Sequence, residues 1–104
     1  MTTGKIIVEV DRDLEDLMPL FWSSREQDLQ GLAKGIDESD FNALRSIGHD
    51  MKGTGSSFGF HSVSEIGDLI EVAALANDLP TIQAQFATFK DYMSRIEISF
   101  VDAS

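Results

Sequence analysis

Ile47-Gly48-His49-Asp50-Met51-Lys52-Gly53-Thr54-Gly55-Ser56-Ser57-Phe58-Gly59-Phe60 carries one His, one Lys and several residues with little or no side chain. On a helix, Lys52 lies at i+3 and Gly53 at i+4 from His49. An ammonium then stands beside the imidazole, and a missing side chain opens the space over it. The arrangement reads as a nucleophile with its access cleared. Glycine costs roughly 1 kcal/mol relative to alanine inside a helix, so Gly48, Gly53 and Gly55 indicate tight packing or partner access rather than indifference. Gly48 and Gly55 are assigned mainly to packing, and Gly53 to access.

Working outward, Phe41, Leu44, Gly48, Met51, Gly55 and Phe58 recur at spacings of three and four. That rhythm predicts a helix over about 38–58, capped from Asp37 to Ser39, with those residues on its inward seam. His49 lies one position off the seam, so its ring is expected at the rim, partly exposed. Upstream, Leu14, Leu17, Met18, Phe21, Trp22, Leu29, Leu32 and Ile36 form a second stripe and predict a helix over about 12–34 that ends near Gly35. Pro19 interrupts it, implying either a kink or a short leading turn followed by a new helix with Pro19 in its first turn.

Downstream, Ser62-Val63-Ser64-Glu65 has the form of a capping box. Val63, Ile66, Ile70, Ala73, Ala74 and Asn77 continue from it as a helix over about 63–77. Asp78 is placed to cap a fourth helix over about 79–96, with Pro80 in its first turn and Ile82, Phe86, Phe89, Met93 and Ile96 on one side. Four helices with short connections predict an all-α fold, an antiparallel up-down-up-down four-helix bundle occupying residues 1–104 as a single domain. Phe21, Trp22, Phe58, Phe86 and Phe89 are read as core, with Trp22 at its edge. The terminal segments Lys5–Val10 and Glu97–Val101 are rich in β-branched and aromatic residues. Either they extend and pair, or they pack as apolar extensions across the end of the bundle.

The composition excludes several functions. A chain of 104 residues buries roughly 65% of the surface its unfolded form exposes, enough for one core. Its formal charge of −10 argues against nucleic acid, whose phosphates need clustered Lys and Arg. There is no Cys, so neither disulfides nor thiolate metal sites are available, and a reducing compartment such as the cytoplasm is the default. The start Met1-Thr2-Thr3-Gly4-Lys5 followed by Ile6-Ile7-Val8 is too short for a signal-peptide core, and no run approaches a membrane span. The expectation is a soluble monomer without membrane association. No glycine loop for nucleotides, kinase signature or metal-ligand set is present, so no cofactor is expected.

If the second and third helices form a hairpin turning near Phe60, residues equally far from that turn face one another. His49 then meets Glu71, and Lys52 meets Asp68. A neutral imidazole attacks through its unprotonated nitrogen while the proton is held on the other, and a carboxylate accepting from Nδ1–H fixes that tautomer and orients the ring. Glu71 is the candidate for this role. Lys52 is the candidate for charge support of an incoming anionic group, and Asp68 for tuning Lys52. His61, at the predicted turn, lacks such surroundings and is read as structural or solvated.

The His, the Lys three residues on, the Gly directly after, the small-residue stretch and Gly59 ten residues from His49 resemble the histidine-containing phosphotransfer (HPt) domains of bacterial phosphorelays. The segment is similar also, through Phe58-Gly59-Phe60, to the phosphotransfer domain of chemotaxis histidine kinases. The resemblance implies that His49 accepts a phosphoryl group at Nε2 from a receiver-domain aspartate and passes it to another receiver. It also implies that the receiver supplies the magnesium ion, that Gly53 leaves room for its pocket, and that the chain has no kinase or ATP site of its own. The implied partners are response-regulator receiver domains and a hybrid histidine kinase. Chemotaxis-kinase domains carry a Glu where Glu71 stands, whereas Asp68 replaces what is commonly a second His. Two rival readings remain: the substrate domain of a longer chemotaxis-type kinase, and a helical interaction module that carries no phosphate.

Overall fold

The computed structural model describes residues 4–102. Met1 to Thr3, the first residues of the expected leaderless start, and the last two residues of the expected domain lie outside this range. A strand β1 (Ile6–Asp11) leads into a 3-10 helix (Arg12–Leu17) and then α1 (Met18–Glu38), α2 (Phe41–Phe58), α3 (His61–Leu75), α4 (Leu79–Arg95) and a strand β2 (Ile96–Val101). In sequence order each helix packs on the next, and α1 also packs on α4.

The first helical stretch agrees with the sequence reading at its start and differs at its end. Of the two alternatives at Pro19, the short leading turn followed by a new helix is the one formed. The stretch over 12–34 divides into the 3-10 helix and α1 from Met18, with Pro19, whose missing N–H is tolerated there, in the first turn. α1 also runs past Gly35, which is buried and whose added Cβ would stand 2.8 Å from Leu44 Cδ2. That glycine serves close packing, and Ser39 ends the helix instead, at φ 52° with its N–H donating to Ile36 O at 3.2 Å.

Two other helix starts shift for local reasons. Asp40, not the preceding acids, caps α2 by accepting from Ala43 N at 3.1 Å. α3 begins at His61 and makes no side-chain cap, so the expected capping box does not form. There Gly59 takes φ 84°, the left-handed conformation glycine tolerates, and Phe60 N donates to Gly55 O at 2.8 Å. The chain thus reverses in two residues. Asn77, expected on the α3 stripe, lies past its end at φ 54° and is exposed. Asp78 caps α4 through Thr81 N at 3.2 Å, and α4 ends one residue early because Ile96 is extended.

Phe60, Phe89, Leu32, Leu44, Met51, Ile70 and Ile82 are fully buried, each contributing about 1.5–3 kcal/mol of burial free energy. Phe21 stacks on Phe60 with ring centroids 4.4 Å apart and touches Phe58 at 5.0 Å, tying α1 to the α2–α3 turn. Trp22 is half-buried at the edge of this cluster. The terminal segments form a two-stranded parallel sheet, from Ile6 opposite Ile96 to Asp11 opposite Val101. Its alternation turns Ile6, Val8 and Val10, with Ile98 and Phe100, onto the core. Parallel pairing needs a long crossover, and the four helices supply it.

Candidate functional site

The site is set by how closely α2 and α3 approach. A Cβ on Gly48 would stand 2.7 Å from Gly67 O, and one on Gly67 would stand 2.6 Å from Gly48 O. A Cβ on Gly55 would likewise meet Ser64 N at 2.6 Å. Backbones this close admit no side chain between them, so the three glycines fix the register of the pair. Ser64 adds a tie, its hydroxyl donating to Lys52 O at 2.8 Å.

That register forms both pairs anticipated from the hairpin. His49 Nδ1 lies 2.9 Å from Glu71 Oε2, and Lys52 Nζ lies 3.1 Å from Asp68 Oδ1. The His49 side chain is 70% exposed against 20% for Glu71, so the ring projects further into solvent than a rim position implies while its anchor stays sheltered. With Glu71 ionised, Nδ1 is the donor and Nε2 carries the free lone pair. Gly53, one turn beyond His49, has nothing within 4 Å of where its Cβ would be apart from its chain neighbours and the backbone of its own helix. A shallow recess there is lined by His49, Lys52, Gly53, Ser56, Ser57 and Ser64.

Lys52 is half-exposed, and its hydrogen bond and charge attraction to Asp68 push its ammonium pKa above the ordinary lysine value. It is therefore a cation at any neutral pH. Thr54 and Ser57 turn their hydroxyls back onto the carbonyls of Asp50 and Gly53, at 2.8 and 3.0 Å, so both are satisfied within the helix.

Sequence reasoning missed several participants. Gly67 was readable only as a glycine inside an otherwise apolar helix, the usual sign of close backbone approach. On the other side of His49, Arg25 is 3% exposed, donates from Nε to Asp28 Oδ2 at 2.6 Å and lies 4.8 Å over the Phe21 ring. Burial raises the Asp28 carboxyl pKa above its ordinary value, against the lowering pull of Arg25. Arg25 and Asp28 share a groove with His49, Asp50 and Gly53. His61 is exposed at the first position of α3, lining a different hollow beside β1 and Tyr92. Among the described residues no cluster of metal-ligating side chains occurs, and no helix is long and apolar enough to cross a membrane.

These features describe a helical protein presenting one oriented and accessible histidine. A family model for the Hpt domain matches residues 16–98, and the chain belongs to that family. Comparison with curated proteins and with solved structures gives no significant match. Hpt domains are phosphocarriers rather than kinases, so the chemistry of the class is phosphotransfer through a phosphohistidine in two-component phosphorelays.

Proposed function

We propose that His49 is the phosphoryl-carrying residue, accepting from a receiver-domain aspartate and delivering to another receiver. The observation that carries this reading is the 2.9 Å contact between Nδ1 and Glu71 beneath a ring that is 70% exposed. In the forward step the Nε2 lone pair forms the N–P bond as the bond from phosphorus to the aspartyl oxygen breaks. The carboxylate leaves, and the imidazole proton stays on Nδ1, held by Glu71. Lys52 offsets charge on the phosphoryl oxygens, Asp68 holds the ammonium in place, and Gly53 lets the partner's pocket close over His49. The receiver contributes its own magnesium ion. Delivery is the same step in reverse.

The framework of this reading is an up-down-up-down antiparallel bundle, supported by helix connections of only two or three residues. The carrier acts as a monomer in the cytoplasm beside its receivers, a setting consistent with the absence of cysteine. The test is incubation with a phosphorylated receiver, which should leave an acid-labile, base-stable phosphate on the chain. Persistence of that label in His49→Gln would overturn the assignment.

A further inference from the structure

Three cations stand around His49, and their partners differ. Lys52 is paired with Asp68 at 3.1 Å, and Arg25 is buried and paired with Asp28 at 2.6 Å. Arg45 precedes His49 by four residues on α2, so the two side chains rise from the same face with Cβ atoms about 6 Å apart. It is exposed, and among the described residues it takes part in no ion pair or side-chain hydrogen bond. Arg45 lines a recess with Ser46, His49 and Glu71, the side of the imidazole on which Nδ1 is held.

An unpaired guanidinium at this position in a chain of charge −10 is a local exception to the surface field. Resting on the phosphocarrier reading above, we propose that Arg45 is a partner-recognition residue whose guanidinium pairs with a carboxylate at the rim of the receiver's acidic phosphorylation pocket. Lys52 cannot supply this contact as freely, because Asp68 already occupies it. The bidentate fork of arginine suits a carboxylate, and its place one turn from His49 sets it just outside the reacting atoms. An exposed rim charge of this kind acts mainly on the rate of productive encounter and on its salt dependence.

The test compares transfer from one phosphorylated receiver to the wild type, Arg45→Glu and Lys90→Glu at low and high salt. Lys90 on α4 lines none of the recesses around His49, and its replacement changes the net charge by the same amount. Arg45→Glu should slow transfer about tenfold or more at low salt, with the gap narrowing as salt rises, while Lys90→Glu follows the wild type. Equal slowing in both variants would reduce the effect to net charge and overturn the proposal. Wild-type rates in Arg45→Glu would overturn it as well, leaving the phosphocarrier reading intact. Absence of label on the wild type from every receiver would overturn both.

Discussion

Gly48 and Gly67 meet backbone to backbone, each placed so that a Cβ on one would press within 2.7 Å of the other's carbonyl oxygen. This contact sets α2 against α3 at the register that puts His49 on Glu71. Replacing Gly67 by Ala should therefore force the helices apart. The overpacking cost of about 1–3 kcal/mol is only partly offset by the better helix propensity of alanine. Thermal unfolding should show a lowered Tm, and phosphate uptake should fall with it.

Gly53→Ala should behave in the opposite way toward stability. Its Cβ enters open space, so the variant gains up to about 1 kcal/mol from propensity and reduced unfolded-state entropy. On the proposed reading transfer from a receiver should nonetheless slow, since the added methyl would stand in the space left for the partner. A higher Tm together with a lower transfer rate would separate access from folding.

Glu71→Ala should slow phosphate uptake by about ten- to a hundredfold, as removal of an orienting carboxylate does elsewhere. Glu71→Gln keeps an acceptor for Nδ1–H and should lose much less. Rates for the two variants and the wild type against one phosphorylated receiver decide the point, and wild-type rates in both variants would remove Glu71 from the mechanism.

The raised pKa of Lys52 has a defined sign. Its charge is present below the ordinary lysine value of 10.5 and is lost only as pH rises through the higher folded value. A transfer profile followed to about pH 10 should show no step from Lys52. Lys52→Ala should lower the rate about tenfold across that range, modest because the ammonium is half-exposed.

Asp28 also has a raised pKa, but there the ionised form is the one that folding penalises. Its carboxyl is raised above 3.8 by burial, so the ionised form is penalised in the folded protein despite Arg25. The stability it contributes is present below the unfolded value and is lost as pH rises through the folded one. Asp28→Asn should therefore gain stability relative to the wild type as pH rises from about 3 to about 6, measured as the difference in denaturation free energy.

Much of this was legible in the residues because α2 and α3 carry clean periodicity and meet at a short turn. Counting from Phe60 was sufficient to pair residues 49 with 71 and 52 with 68. The Asp78 cap of α4 was legible, but the cap of α2 was not, since Asp37, Ser39 and Asp40 are all competent and the sequence does not say that Asp40 is the one that accepts from Ala43 N. Likewise the Ser62 capping-box pattern lost to a turn fixed by Gly59 and the buried Phe60. Arg25 escaped notice because a charged residue in a helix reads as solvated until the aromatic ring beneath it is seen. The terminal strands were readable as extended, but parallel pairing of residues 90 apart is a property of the assembled bundle.

The central claim is that Glu71 holds Nδ1 and leaves Nε2 to take phosphate. Nitrogen-15 and phosphorus-31 NMR of the protein after labelling from a phosphorylated receiver identifies the nitrogen bonded to phosphorus. Phosphate on Nε2 of His49, with the proton on Nδ1, is the predicted result; phosphate on Nδ1, or on His61, would contradict it.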